Sequence, residues 1–140
     1  MRRMRPSVAI VGASKDRSKY GNMAVRAHQK MGYTVYPVNP KETEIEGLQA
    51  YPDLRSVPGP VERVTMYVPP RIGLTMLDQI AAKRPREFFL NPGSESPELV
   101  RKARELGLEP IEACSILDLG EDPAMIDDTY EGAKQSRRGE

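Results

Sequence analysis

A chain of 140 residues has the size of one domain and is too short for two ordinary ones. Its 39% hydrophobic and 29% charged residues are typical of a globular protein, and no apolar run approaches the roughly 18 to 20 residues of a membrane helix. The net charge of +1 divides into +8 over residues 1–41 and −7 over the rest, which indicates an anionic partner: nucleic acid, a membrane surface or a phosphorylated small molecule. One cysteine and one histidine exclude a disulfide scaffold and the usual metal sites, so no metal is expected.

Short strands alternate with amphipathic helices along the chain. The strands are apolar runs rich in β-branched residues, typical of parallel strands buried on both faces, and cover residues 7–11, 33–38, 47–51, 63–68, 86–90 and 109–114. The helices have apolar residues at helical spacing and cover residues 23–31, 72–83 and 97–106, with a single helical turn over 53–57. Gly32 and Gly107 stand at C-cap positions, and Ser96-Pro97 is a typical helix start.

This alternation predicts right-handed βαβ units and therefore a mostly parallel sheet with helices on both faces. The predicted fold class is α/β, doubly wound, in three α/β/α layers. We expect residues 1–6 to form a flexible arm and residues 7–119 to form the domain. Residues 120–140 are predicted to be an acidic C-terminal extension, partly disordered: the acidic stretch over residues 118–128 leads into a short terminal helix, and residues 134–140 are expected to be disordered. The extension either docks a partner or keeps the protein soluble, and the second role is favoured.

The residues that follow each strand form the candidate site, because ligands of open parallel sheets bind at the carboxyl ends of the strands. After the first strand, Gly12 lets backbone N–H groups approach a phosphate, and the next helix adds partial positive charge. The G-x-G-x-x-G pattern is absent because Ser14 and Arg17 replace its second and third glycines. The loop carries Lys15, Arg17 and Lys19 instead. The alternative is that Gly12 merely ends a strand and the lysines are solvated.

The end of the second strand indicates a phosphorylated ribose. NAD-binding domains place an acidic residue there to accept hydrogen bonds from the ribose, whereas this chain has Asn39 and then Lys41. A cation suits either the 2′-phosphate of NADP or the 3′-phosphate of coenzyme A. Glu42 weakens the signal, and an ordinary surface lysine stays an alternative for Lys41.

No catalytic set can be placed at the strand ends, whether a Ser-His-Asp triad, a carboxylate pair or a Cys-His pair. His28 falls in the middle of the first helix, where a packing or surface role is expected. Cys114 ends the last strand and is expected to be buried and inert. The chain is therefore predicted to be a binding module with no catalytic residues of its own, although an enzymatic role is left open.

Several segments together resemble a known family, with their spacing kept over residues 7–119. They are residues 8–14 (VAIVGAS), 32–41 (GYTVYPVNPK), Gly47, 51–54 (YPDL), 68–70 (VPP), 92–95 (PGSE) and Cys114. The chain resembles the small stand-alone CoA-binding proteins, which are similar to the CoA-binding domain of the succinyl-CoA synthetase alpha subunit. The resemblance implies a Rossmann-like fold of the NAD(P)-binding-domain superfamily and coenzyme A as the nucleotide ligand. The synthetase's phosphohistidine lies in a further domain outside the resemblance, so its reaction is not implied.

Candidate CoA-binding residues come from this resemblance and from the basic loop. They are Gly12, Ala13, Ser14, Lys15, Lys19, Tyr20, Asn39, Pro40, Lys41, Val68, Pro69, Pro70, Pro92, Gly93 and Ser94. By family pattern, residues 12–14 would cradle phosphates and residues 39–41 would border the adenosine and its 3′-phosphate. Residues 68–70 would line the adenine or pantetheine path, and residues 93–94 would face the cleft.

The expected function is cytoplasmic binding of CoA or an acyl-CoA through its ADP portion. The alternative is an NADP-dependent oxidoreductase, or another nucleotide-binding enzyme, on the same fold. Nucleic acid is not an expected partner, because the basic segment has only three aromatic residues, two of them in a buried strand. No membrane partner is expected, and a protein partner is left open.

Overall fold

The structure is a computed structural model that describes residues 5–132, and its centre is a five-stranded parallel sheet. The strands of the molecule are β1 Ser7–Val11, β2 Thr34–Val38, β3 Glu44–Ile45, β4 Leu48–Gln49, β5 Arg63–Met66, β6 Glu87–Leu90 and β7 Pro110–Glu112. The sheet has the order β2-β1-β5-β6-β7, and each neighbouring pair is parallel. β3 and β4 form a separate antiparallel hairpin. The predicted doubly wound α/β fold is therefore confirmed.

Helices cover both faces of this sheet. They are α1 Tyr20–Lys30, α2 Pro70–Leu74, α3 Leu77–Lys83, α4 Pro97–Glu105 and α5 Ser115–Asp118, followed by a 3-10 turn at Pro123–Met125. α1 and α5 pack on one face, and α2, α3 and α4 pack on the other. Val8 and Ile10 of β1 belong to the core under α1, while Ala9 and Val11 belong to the opposite core. The continuous apolar run of β1 is thus buried on both faces, as its sequence indicates.

Several element boundaries differ from the sequence predictions. The helix predicted over residues 72–83 is two helices, because Thr75 Oγ1 donates to the Ile72 carbonyl at 2.6 Å and the chain turns at Met76. The segment predicted as a helical turn over residues 53–57 is an irregular turn in which Ser56 N–H donates to Asp53 Oδ1. The predicted strand over residues 47–51 is one arm of the β3–β4 hairpin.

Residues 121–132, here called the C-terminal strap, pack across α1. Ile126 is 3% exposed and lies in the core under α1. Of the predicted acidic extension, this part is ordered against the domain. Most of the predicted N-terminal arm (residues 1–4) and the end predicted to be disordered (residues 134–140) lie outside the described residues. No helix within residues 5–132 is long and apolar enough to cross a bilayer.

His28 is wholly buried between α1 and the sheet. Its Nδ1 lies 2.8 Å from the Ala24 carbonyl oxygen, its Nε2 lies 3.3 Å from Nη1 of Arg63, and its ring meets Tyr33 edge to face. Burial lowers the pKa of His28 to about 4, so the ring is neutral at pH 7. The expected packing role is confirmed, and His28 lines no part of the cleft described below.

This buried histidine predicts an acid-sensitive core. Because its pKa is lower in the folded chain than in the unfolded one, its contribution is complete above pH ~6.5 and is lost as pH falls towards 4, by up to about 3 kcal/mol. Urea unfolding at pH 7 and pH 4.5 should show this loss in the wild type. His28→Gln should reduce the pH-dependent loss by about 2 to 3 kcal/mol, and an equal pH dependence in both proteins would contradict the prediction.

Candidate functional site

The candidate site is a cleft at the carboxyl ends of β1 and β5, where the winding of the sheet reverses. The chain passes from β1 through α1 to β2 on one side, then crosses to β5 on the other side of β1. Ligands of doubly wound sheets bind at such a point. Two cavities meet there at Gly12: the α1 cavity, of about 460 Å³, and the β2 cavity, of about 230 Å³.

Two glycines bring the cleft together. Gly12 has a φ of +91°, and a Cβ there would lie 3.1 Å from the carbonyl carbon of Tyr67. Gly21, in the first turn of α1, lies so close to the Gly12 carbonyl oxygen that any side chain would overlap it. The N-terminus of α1 therefore rests directly on the end of β1. Gly21 is not among the site residues predicted from the sequence. A second glycine nine positions after Gly12 was the sequence feature that could have indicated it.

The N-terminus of α1 is uncapped and borders the α1 cavity. Lys19 is the N-cap residue, its side chain makes no capping hydrogen bond, and the first turn contains no acidic residue. The N–H groups of Asn22 and Met23 turn back to the Lys19 carbonyl, while those of Tyr20 and Gly21 have no backbone partner among residues 5–132. Free N–H groups and the helix dipole together favour an anion, as at phosphate sites.

The loop between β1 and α1, residues 12–19, is fastened by side chains that donate to its carbonyl oxygens. The contacts are Asn39 Nδ2 to Ala13 at 2.8 Å, Asn22 Nδ2 to Ser14 at 2.8 Å and Arg26 Nη2 to Arg17 at 2.9 Å. Asn39 also accepts a hydrogen bond from the Lys41 N–H through Oδ1. Its amide therefore connects the end of β2 to the loop, a role that the sequence did not reveal.

Two of the cations predicted near the ligand are paired with carboxylates. Lys15 Nζ lies 3.3 Å from Glu42 Oε1, and Arg17 Nε lies 3.1 Å from Glu46 Oε2. The Arg17 pair directs that guanidinium towards the β3–β4 hairpin and not into either cavity.

The other two predicted cations, Lys19 and Lys41, are exposed and form no ion pair within the described part of the chain. Lys19 lines the α1 cavity. Lys41 directly follows Pro40, which lines the β2 cavity. The two unpaired charges therefore flank the cleft at its two cavities.

The α1 cavity joins predicted residues from distant parts of the chain. It is lined by Gly12, Lys19, Tyr20, Pro92, Gly93 and Ser94 of the predicted set, together with Ser18, Gly21 and Tyr67. Ser94 Oγ is buried and lies within hydrogen-bond distance of the Met66 and Val68 carbonyl oxygens, at 3.1 and 2.7 Å, so it joins the end of β6 to the end of β5.

A buried polar network lies under the α1 cavity. Asn91 donates to Thr65 Oγ1 and to the Met66 carbonyl, and its Oδ1 accepts from the Ser115 N–H. The hydroxyl of Ser115 lies 2.8 Å from Thr65 Oγ1 and 3.1 Å from the Tyr67 hydroxyl. Burial raises the pKa of Tyr67 well above its ordinary value, so the phenol stays protonated. Because its buried groups are hydrogen-bonded, the network makes the floor of this cavity rigid.

The β2 cavity is mainly apolar. Val11, Val38, Pro40, Val68, Ile72 and Met76 supply most of its wall. Asp53 and Gln79 are its polar edge, and Gln79 Oε1 accepts the Leu54 and Arg55 N–H groups at 3.0 and 3.2 Å. The sequence-based set contains only Gly12, Pro40 and Val68 from this cavity. Ile72, Met76 and Gln79 enter it because α2 and α3 fold over the end of β5.

The remaining predicted residues lie beside the two cavities without lining them. They are Ala13, Ser14, Lys15, Asn39, Lys41, Pro69 and Pro70. Ala13 is fully buried, and Pro69 and Pro70 begin α2 as its N-cap and first residue. Cys114 is half-buried, packs with the core under α1 and lines neither cavity. A larger groove of about 880 Å³ runs along α4, but its wall carries charges of both signs and no predicted residue.

The fold is that of a doubly wound α/β domain, and its cleft is bordered by an uncapped helix N-terminus. The model of the family described as CoA binding domain matches residues 6–120. The chain belongs to this family, and the resemblance seen in the sequence is confirmed.

Its curated relatives include much larger ligases. The chain is 36% identical over 63 residues to the acetate–CoA ligase [ADP-forming] II subunit alpha of Pyrococcus furiosus, a match that covers 44% of this chain and 14% of that subunit. It is 33% identical over 108 residues to acetate–CoA ligase [ADP-forming] II of Archaeoglobus fulgidus, which covers 71% of this chain and 16% of the ligase. The chain thus corresponds to a small part of each of these proteins.

Solved structures include both small and large neighbours. A conserved hypothetical protein from Pyrococcus furiosus superposes with a TM-score of 0.73 at 33% identity, over 82% of this chain and 99% of that one. The dinucleotide forming acetyl-coenzyme A synthetase 1 of Ca. Korarchaeum cryptofilum gives 0.66 at 29% identity, over 76% of this chain and 26% of that one. The same domain therefore occurs in a chain of similar size and within a longer enzyme.

The contact between Gly21 and Gly12 predicts an unusual response to alanine. At an exposed helical position, Gly→Ala raises the free energy of unfolding by up to about 1 kcal/mol. Gly21→Ala should instead lower it by about 1 to 3 kcal/mol, because the methyl group overlaps the Gly12 carbonyl oxygen. Urea unfolding measures the difference, and a stabilised variant would show that the helix and strand are not in contact.

Proposed function

We propose that the protein binds CoA or an acyl-CoA through its ADP portion, in the cleft between β1 and β5. The observation that carries this proposal is the uncapped N-terminus of α1, which borders the junction of an apolar cavity and a more polar one at Gly12. The three parts of an adenine nucleotide with a long polar arm match this arrangement. Its flat apolar base suits the apolar cavity, its diphosphate suits the helix N-terminus, and its extended chain suits the more polar cavity. Membership of the CoA binding domain family supports the same ligand.

The diphosphate is proposed to lie against the N–H groups at the start of α1, next to Lys19. The base then enters the β2 cavity between Pro40 and Val68, and the pantetheine arm follows the α1 cavity past Tyr67 and Gly93. CoA carries about four negative charges, nearly two of them on its 3′-monoester phosphate. Lys41 lies at the β2 side and forms no ion pair within residues 5–132, so it can meet that phosphate.

The role of the bound CoA is proposed to depend on a partner. Neither cavity is lined by a histidine or a cysteine, and the ligases that the chain resembles are several times longer than the matched part. In those proteins the matched segment is one piece of a larger enzyme. By this reasoning the domain presents CoA to a second domain or protein that supplies the reacting groups.

Calorimetric titration with CoA, dephospho-CoA, NADP and NAD tests the ligand. CoA should bind tightest, and loss of the 3′-phosphate should cost on the order of 1 to 3 kcal/mol, as for a charge-assisted contact. Absence of binding to both CoA and dephospho-CoA would overturn the proposal. Tightest binding to NADP would favour the oxidoreductase alternative.

Lys41→Ala tests the phosphate contact within the same experiment. The variant should bind CoA about as weakly as the wild type binds dephospho-CoA, while its affinity for dephospho-CoA should be unchanged. Lys102→Ala removes an exposed lysine on α4, away from both cavities, and should match the wild type for both ligands. Equal losses for CoA and dephospho-CoA in Lys41→Ala would place the 3′-phosphate elsewhere.

The ionic contacts also predict a salt dependence. Because the Lys19 and Lys41 side chains are exposed, added salt screens their attraction for the ligand. Raising the salt concentration from 0.05 to 0.5 M should weaken CoA binding more than it weakens dephospho-CoA binding. A salt-independent affinity for both would contradict a phosphate-based mode of binding.

A further inference from the structure

The C-terminal strap packs tightly against α1. Gly132 lies so close to α1 that a Cβ there would be 2.6 Å from the Arg26 Cα. Tyr130 donates to Glu121 Oε1 at 2.7 Å, and Lys30 Nζ lies 4.7 Å from the centre of the Tyr130 ring. The strap begins directly after residue 120, where the match to the family model ends.

Arg26 connects the strap to the loop between β1 and α1. It is fully buried, and its guanidinium donates in three directions: to Asn22 Oδ1 at 2.7 Å, to the Asp127 carbonyl at 2.7 Å and to the Arg17 carbonyl at 2.9 Å. One rigid, planar group thus bonds to helix, strap and loop at once. Since a buried guanidinium is costly without its acceptors, the loop and the strap are fixed relative to each other.

Arg17 makes a second connection from the loop side. Its Nη1 donates to the Asp128 carbonyl at 3.1 Å, while Nε and Nη2 contact the Glu46 carboxylate at 3.1 and 3.4 Å. Glu46 also accepts a hydrogen bond from Asn22 Nδ2. The loop is therefore held between the strap and the β3–β4 hairpin, by residues that line neither cavity.

We propose that the C-terminal strap, acting through Arg26 and Arg17, holds the loop over residues 12–19 in the conformation that accepts the ligand. This inference rests on the proposed function for the identity of that ligand. Neither the strap nor Arg17 nor Arg26 lines either cavity. Arg17 and Arg26 therefore act on the ligand only through the loop and are positioning residues. A loop that is already ordered loses less conformational entropy when the ligand binds, and releasing it should weaken binding.

Gly132→Ala in the full chain tests the proposal without changing any charge. The added methyl group should lift the strap from Arg26. Met125→Ala is the matched control, because it removes a side chain of the same strap that is 71% exposed. Amide hydrogen exchange without ligand reports on the loop, with the β1 amides as a reference for global unfolding, and calorimetry with CoA reports on binding.

Gly132→Ala should speed exchange of the loop amides at least tenfold relative to β1 and weaken CoA binding about tenfold. Met125→Ala should change neither. If the strap exchanges faster in Gly132→Ala while the loop and the CoA affinity match the wild type, the strap only covers α1 and the proposal fails. If the loop loosens but the wild type binds no CoA, the proposed function fails and the strap's hold on the loop stands.

Arg17→Met is the second variant, for the case in which Gly132→Ala is too unstable to study or leaves the strap in place. It removes the hydrogen bonds to Asp128 and Glu46 but keeps an unbranched, flexible side chain. Exchange of the loop amides, relative to β1, should again be faster than in the wild type, and unchanged loop exchange would overturn the proposal.

Glu46→Gln separates an effect of charge from an effect of loop ordering. Removing a negative charge alone would strengthen CoA binding, whereas a loosened loop would weaken it.

Discussion

The contact between Gly21 and the Gly12 carbonyl is the constraint on which the cleft depends. It sets the N-terminus of α1 directly on the end of β1, the strand between β2 and β5. Because no side chain separates the helix from the strand, the free N–H groups of the helix lie at the point where the sheet reverses its winding. The same close approach draws α1 onto the sheet, so that His28 is buried between α1 and the sheet and Arg26 is buried beneath the strap.

The cleft is rigid on several sides. Its floor is the hydrogen-bonded network around Asn91, and Ser94 fastens the β6 end to the β5 end. Its loop is held by Asn39 from the β2 end and by Arg26 from the strap side. A site whose parts are already in place spends little free energy on ordering when a flexible ligand enters. In this molecule that order is supplied by amides, hydroxyls, the guanidinium groups of Arg17 and Arg26 and their partners, while Lys19 and Lys41 form no ion pair within residues 5–132.

Sequence reasoning predicted the features that local signals determine. The apolar run of β1 and the Ser96 cap of α4 are examples, because burial on both faces and a capping hydroxyl are visible within a few residues. It missed what distant contacts determine. From the sequence, Arg17 is a loop cation expected to contact the ligand. In the structure its partners are the Glu46 carboxylate and the carbonyl of a residue 111 positions away. Asn39 likewise has its role only because Ala13 lies beside it in the fold.

The charge asymmetry of the chain has two physical origins. Part of it is internal, since bases from the first 41 residues meet acids from the remainder: Lys15 with Glu42, Arg17 with Glu46, and Lys30 with Glu121. These ion pairs fasten the loop, the hairpin and the strap around α1. The positive charges of the three bases are therefore neutralised within the chain, without a ligand. What remains for an anionic partner is a smaller positive region formed by Lys19, Lys41 and the start of α1. Several bases of the segment over residues 1–41 therefore hold the fold together, and a nucleic acid is not needed to explain the charge asymmetry.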